Sequence, residues 1–92
     1  MEIVFDPAKN ARNLRVRELP FERVVDFDFG SALFTEDARR DYGEIRIRAF
    51  GFLDSRLHAL VFVEMPHGIR VISFRKANAR EVRHYHEKTS ES

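Results

Sequence analysis

Cysteine and tryptophan are missing from this 92-residue chain, and glycine and proline are scarce, at four and three residues. Without cysteine there can be neither disulfides nor thiolate metal sites, so the fold asks for no oxidising compartment. The chain has no Gly-rich phosphate loop, no Gly-x-Ser-x-Gly elbow and no paired-carboxylate site. No window approaches the ~20 apolar residues that span a bilayer. Met1 to Asp6 lacks the basic start and long apolar stretch of a signal peptide. These absences set the expectation of a cytoplasmic protein with no membrane attachment.

What is present fits one compact domain. Hydrophobic residues make up 43%, including nine Phe, and charged residues 34%, with 16 Lys or Arg balanced by 15 Asp or Glu. That apolar content closes a single core, and a chain of this length has no material for a second. The expected domain covers residues 1–88, with 89–92 as a disordered tail.

Ile3-Val4-Phe5 reads as a short strand. Asp6-Pro7 then starts a helix, with Asp as N-cap and Pro at the first helical position. The helix should run from about Pro7 to Arg17, with Ala8, Ala11 and Leu14 at helical spacing for docking on a sheet. Leu19-Pro20 breaks it. Phe21, Val24, Val25 and Phe29 recur at threes and fours, which predicts a second short amphipathic helix ending by Gly30 and forming a hairpin with the first.

Ala32 to Thr35 could form a short strand, and the polar cluster Glu36 to Asp41 reads as a solvated loop. Alternation from Glu44 to Phe52 predicts a half-buried strand with Arg46 and Arg48 on one face. Leu53 to Arg56 is a turn. Leu57 to Glu64, apolar on both parities except at His58, suits a central strand. Met65-Pro66-His67-Gly68 is read as a hairpin turn with Gly68 at a positive φ. Ile69 to Phe74 is then the last strand. Asn78 and Glu81 have capping-box spacing and open a final helix from about Ala79 to Glu87. The order is β-α-α-β-β-β-α, an α+β domain with helices packed on a curved antiparallel sheet.

Charge is segregated along this chain. Between Arg70 and Lys88 lie six Arg or Lys against two Glu, in a protein of formal net charge +1. Arg70, Ser73, Arg75 and Tyr85 in that stretch can all donate to a phosphate, which points to an anionic partner.

Phe5-Asp6-Pro7-Ala8-Lys9, Asn13-Leu14, Phe21-Glu22, Tyr42-Gly43-Glu44-Ile45-Arg46, Ile69 to Ala77, and Glu81 with Tyr85 occur here in an order and spacing that resemble BrnT-type toxins. The resemblance implies a RelE-like fold and an endoribonuclease toxin of a type II toxin–antitoxin module. It further implies ribosome-independent cleavage and a ribbon-helix-helix, BrnA-like antitoxin that blocks the site and binds operator DNA, so that the toxin reaches DNA only through its antitoxin. Departures fall at Val16, Arg17 and Glu18, where the family carries Lys-His-Gly, at Phe5, where Trp is common, and at Phe74, where Ala precedes the Arg. Phe74 would set a bulky ring beside the best phosphate ligand. An alternative follows: a catalytically weakened toxin-fold protein acting as antitoxin-binding partner or corepressor. A stand-alone RNA-binding module is a third reading.

Metal-free RNA cleavage needs a base for the 2′-hydroxyl proton, cations for the phosphorane oxygens and a donor for the leaving 5′-oxygen. Arg suits the middle task because its fork matches two phosphate oxygens and keeps its charge. Arg75, Arg70, Arg46 and Tyr85 are therefore the candidate catalytic residues, and Lys9 and Ser73 the candidate substrate-binding ones. The plainer alternatives are a surface ion pair for Arg75, cross-strand pairing of Arg70 or Arg46 with Glu44 or Glu64, and core packing for Tyr85. Glu81 could be a general base, although its capping position already accounts for it. His84 and His86 are two apart on a helix and cannot share a metal, and His58 reads as a hydrogen-bonded core residue. No metal and no cofactor is expected.

Overall fold

The computed structural model describes residues 1–90. A five-stranded sheet carries helices on both faces. Strand β1 (Glu2–Val4) leads into helix α1 (Pro7–Arg17), two 3-10 turns (Phe21–Asp26 and Phe29–Ser31), strands β2 (Leu33–Glu36), β3 (Ile47–Leu53), β4 (Arg56–Met65) and β5 (Gly68–Lys76), and helix α2 (Ala79–Thr89). The spatial order is β1-β5-β4-β3-β2, antiparallel throughout except where β1 runs parallel to β5. Among the described residues no helix is long and apolar enough to cross a membrane.

Local sequence signals explain the helix ends. Asp6 accepts the Ala8 N–H at 2.9 Å with Pro7 in the first turn. Asn78 and Glu81 close a reciprocal capping box on α2. That helix continues past Glu87 to Thr89, and Ser90 caps it. Of the expected disordered tail, Thr89 and Ser90 are thus ordered, and residues 91 and 92 lie outside the described residues.

Several expectations change, among them the start of β3, at Ile47 and not Glu44. The second helix is a six-residue 3-10 turn, because after Pro20 only Phe21 and Val24 are buried and the segment spends its length crossing the sheet. Residues 33–36 form a true edge strand, giving five strands where the expected order has four. The sheet is mixed because β1 adds parallel to β5, its Glu2 beside Gly68. Gly68 is not at a positive φ; among the described glycines only Gly43 is. A Cβ on Gly68 would meet the Glu2 carbonyl oxygen at 1.8 Å, so this glycine serves the close approach of β1.

Helix α1 docks by polar contacts. None of its residues is buried, and Leu14 is 51% exposed. Instead Asn10 Oδ1 accepts the Phe21 N–H at 2.7 Å, while Asn13 Nδ2 donates to the carbonyls of Leu19 and Phe74 at 2.7 and 2.9 Å. Asn13 thereby closes the edge of β5 where β1 has ended.

Two apolar clusters sandwich the sheet. One face carries Leu60, Phe62, Val71 and Phe74 under Leu19, Phe21, Val24 and Phe27. The other carries Phe50, Leu57 and Ala59 under Tyr85 and Val82 of α2. Phe74 is fully buried, edge-on to Phe27 with ring centroids 6.1 Å apart. His58 is buried beside it, as its position suggested, with Nδ1 2.7 Å from the Arg56 carbonyl, and burial pushes the imidazole pKa down. Truncating Phe74 to Ala should therefore cost about 3–5 kcal/mol, seen as a drop in the urea midpoint with unchanged slope.

Candidate active site

Helix α2 covers only part of its face of the sheet, and the uncovered part collects arginines. Residues paired across strands share a face. On β3, Arg48 lies opposite Val61 of β4, which in turn lies opposite Ser73 of β5; Arg75 lies opposite Ala59. Small residues of the central strand thus floor a cleft of about 180 Å3, walled by Arg46 and Arg48 on one side and Ser73 and Arg75 on the other, with Asp37 and Arg39 from the preceding loop at its rim.

A bulge makes this possible. Strict alternation would put Arg70 and Arg75, five residues apart, on opposite faces. The register shifts so that Phe62 pairs with Val71 but Val61 pairs with Ser73, leaving Ile72 as the extra residue. Arg70, Ser73 and Arg75 consequently share the cleft face, while Val71 and Phe74 both point into the opposite core. The expectation that Phe74 crowds Arg75 fails for that reason.

Carboxylates hold most of the guanidinium groups. Glu81 takes Arg75 in a fork, at 2.8 and 2.9 Å, while its Oε1 also accepts the Asn78 N–H at 2.9 Å. Glu44 accepts from Arg70 at 2.6 and 2.8 Å and from Arg46 Nε at 3.0 Å. Arg46 also lies flat over the Tyr42 ring, 4.1 Å from its centroid. Buried Asp37 binds Arg39 at 2.7 and 2.8 Å and accepts the Tyr42 hydroxyl at 3.2 Å. Bonds from Arg75, Arg70 and Arg39 respectively are the largest causes that pull Glu81, Glu44 and Asp37 below the usual carboxylate range. All three are therefore weak bases near neutral pH.

Arg48 is different. Its Nε is buried and has no hydrogen-bond partner among the described residues, although its guanidinium carbon lies 5.6 Å from the centre of the Phe50 ring. A buried donor left unpaired costs roughly 1–3 kcal/mol.

Of the residues chosen from sequence, Arg46, Ser73 and Arg75 meet in the cleft. Arg70 lies outside its lining and reaches it through shared Glu44; the pairing with Glu44 foreseen as its alternative forms, but from the loop before β3 and not across paired strands. Lys9 lines a neighbouring depression with Arg12 and Arg17, joined to the cleft through Ile72 and Ser73. Tyr85 is not in the cleft. It is 5% exposed, edge-on to Phe52, and its hydroxyl donates to the Ser31 carbonyl at 2.8 Å. Sequence reading overlooks Arg39, Asp37 and Arg48. The last is legible, since it shares the alternating face of Arg46. No group of three or more His, Asp or Glu among the described residues could hold a metal ion.

An arginine-walled cleft on a small α+β domain is the equipment of a protein that handles phosphate esters. The sequence matches, over residues 5–81, a family described as the ribonuclease toxin BrnT of type II toxin–antitoxin systems, and the chain belongs to that family. It is thus a ribonuclease toxin whose counterpart is an antitoxin. No curated protein matches the chain.

The Glu81–Arg75 bond has a pH signature. The folded Glu81 carboxyl binds its proton less tightly than the unfolded group, whose ordinary value is 4.5. Its contribution to stability is present above that value and is lost as pH falls through the lower folded value. Urea titrations should show the parent more stable than Glu81→Gln at neutral pH, with the gap narrowing on acidification below about pH 4.5.

Proposed function

We propose that the chain is a metal-independent endoribonuclease that cuts single-stranded RNA with the scissile phosphate seated in the arginine cleft. The observation that carries this reading is the convergence of Arg46, Arg48 and Arg75 with Ser73 over the small floor residues Ala59 and Val61. In the reaction the 2′-oxygen bonds to phosphorus, the bond from phosphorus to the 5′-oxygen breaks, the 2′-hydroxyl proton leaves to solvent, and the 5′-oxygen takes up a proton. The products are a 2′,3′-cyclic phosphate and a 5′-hydroxyl end. Guanidinium groups held in place by Glu81 and Glu44 meet the charge that grows on the phosphorane without reorganising, the largest kind of contribution such sites make.

Arg48 is the strongest phosphate ligand in this reading, because an anion oxygen would supply the acceptor that its Nε lacks. Arg75 and Arg46 flank it, Arg70 orients Glu44, and Ser73 and Lys9 hold neighbouring parts of the RNA. We place the fold with the RelE-like toxins and the protein in the cytoplasm, and we assign a ribbon-helix-helix antitoxin that occludes the cleft, with operator DNA bound only by that antitoxin. The weakened-toxin alternative loses one of its two supports, since Phe74 faces the opposite core, while the departures at Val16, Arg17 and Glu18 stand.

The purified chain should cleave single-stranded RNA in the presence of EDTA and leave 2′,3′-cyclic phosphate ends. Activity that disappears with chelator and returns on addition of Mg²⁺ would sink the metal-free mechanism.

Two arginine variants should behave differently. Arg48→Met removes an unpaired donor, so the melting temperature should hold or rise, while cleavage falls roughly 10²–10³-fold. Arg75→Ala should lower cleavage similarly but also stability, by about 1–3 kcal/mol, because it strands the largely buried Glu81. Equal losses from Arg48→Met and from Arg83→Ala, on the exposed side of α2, would reduce the cleft to a general RNA-attracting surface.

A further inference from the structure

Beside the cleft runs a wider groove, about 580 Å3, between edge strand β2 and helix α2. The two are adjacent, since Arg48 lines both and Glu81, in the groove, holds Arg75 of the cleft. Their sizes differ usefully: the cleft has room for little beyond a phosphate, whereas the groove falls in the range of sites that enclose a small organic molecule. Its floor is apolar, with Leu33 and Phe50 side by side across β2 and β3. Its far wall is cationic. Arg80, His84 and Lys88 recur every fourth residue along one edge of α2, so they form a single stripe. Among the described residues Glu81 is the one acid in the lining, and it is already committed to Arg75 and to the Asn78 N–H.

We propose that this groove is a second nucleotide site, which takes the base and the next phosphate of the RNA residue adjoining the scissile phosphate. The base lies on half-buried Leu33, above buried Phe50, an apolar surface without a hydrogen-bond code, and the phosphate meets Arg80 and Lys88. Arg48 stands at the boundary and touches the phosphate shared by the two residues. This inference rests on the ribonuclease reading above. RNA is favoured over a segment of antitoxin because the groove adjoins the phosphate cleft at Arg48 and its wall carries Arg80 and Lys88, with no free acid in the lining among the described residues.

The test uses the full chain and oligoribonucleotides whose 2′-hydroxyls are replaced by fluorine, which removes the attacking oxygen, in di-, tri- and tetranucleotide lengths. For the parent, affinity should rise from the di- to the trinucleotide, which adds the second phosphate, and change little with the fourth nucleotide. For the double variant Arg80→Gln, Lys88→Gln, affinity should stop rising with length, and the slope of log K against log salt should fall by about 0.7 for each phosphate that is no longer neutralised. Both variant positions are exposed on the helix surface, so the fold should survive, and Lys88→Arg should restore part of the slope. An unchanged slope and length dependence in the double variant would overturn the proposal. So would loss of antitoxin binding with RNA affinity intact, which would assign the groove to the antitoxin. A parent that neither binds nor cleaves any RNA overturns the ribonuclease reading itself, whereas a parent that cleaves but ignores the groove substitutions overturns only the second site.

Discussion

The extra residue at Ile72 is the constraint on which the rest of the structure depends. Strand β5 must do two things that simple alternation cannot combine: send Val71 and Phe74 into one core and keep Arg70, Ser73 and Arg75 together on the opposite face. One bulge flips the parity between Val71 and Ser73 and satisfies both. Deleting that residue in thought reverses every side chain on one side of it, either exposing Phe74 and burying Arg75 or exposing Val71 and burying Arg70. The fold and the site are therefore set by the same local irregularity, placed against the central strand β4 just beyond the end of β1.

Much of the chain is legible because its signals are local. Asp6-Pro7 and Asn78 with Glu81 mark helix starts by the bonds their side chains make, and those bonds form. Alternation in β3 and the apolar run of β4 follow from one-sided and two-sided cover. The misses share a different cause. The Phe21 segment repeats at threes and fours, yet a 3-10 turn satisfies that spacing as well as an α-helix, and only the path across the sheet decides. The parallel pairing of β1, the bulge, and the burial of Tyr85 against Phe52 all depend on residues distant in sequence. Arg48 is placed beside Arg46 by the alternation, but that its Nε is left unpaired is not legible, because it depends on Glu44 reaching one arginine and not the other.

Pairing explains how so many arginines can sit together. Arg39, Arg46, Arg48, Arg70 and Arg75 cluster around Asp37, Glu44 and Glu81, so the local charge stays positive while most repulsion is offset. The acids also spend their basicity on these bonds, which suits them to fixing guanidinium planes and ill suits them to taking protons. A site built this way relies on electrostatic complementarity to an anion. The unpaired Nε of Arg48 fits the proposed reading, in which an anion oxygen of the substrate would supply the acceptor it lacks.

The departures at Val16, Arg17 and Glu18 can be read in the same physical terms. Glu18 caps α1 in the left-handed region, at φ 54°, the conformation that glycine adopts without penalty. A Gly at this position in the related pattern thus serves the helix end, and its replacement adds local strain while leaving the chain path as it is. Val16 is exposed, and Arg17 reaches the Phe74 carbonyl at 3.5 Å beside Lys9 and Arg12. A cation therefore still stands over the edge of β5, close to the bulge and on the approach to the cleft. Because α1 is held by Asn10 and Asn13 and not by buried apolar packing, its exposed positions can vary without disturbing the sheet.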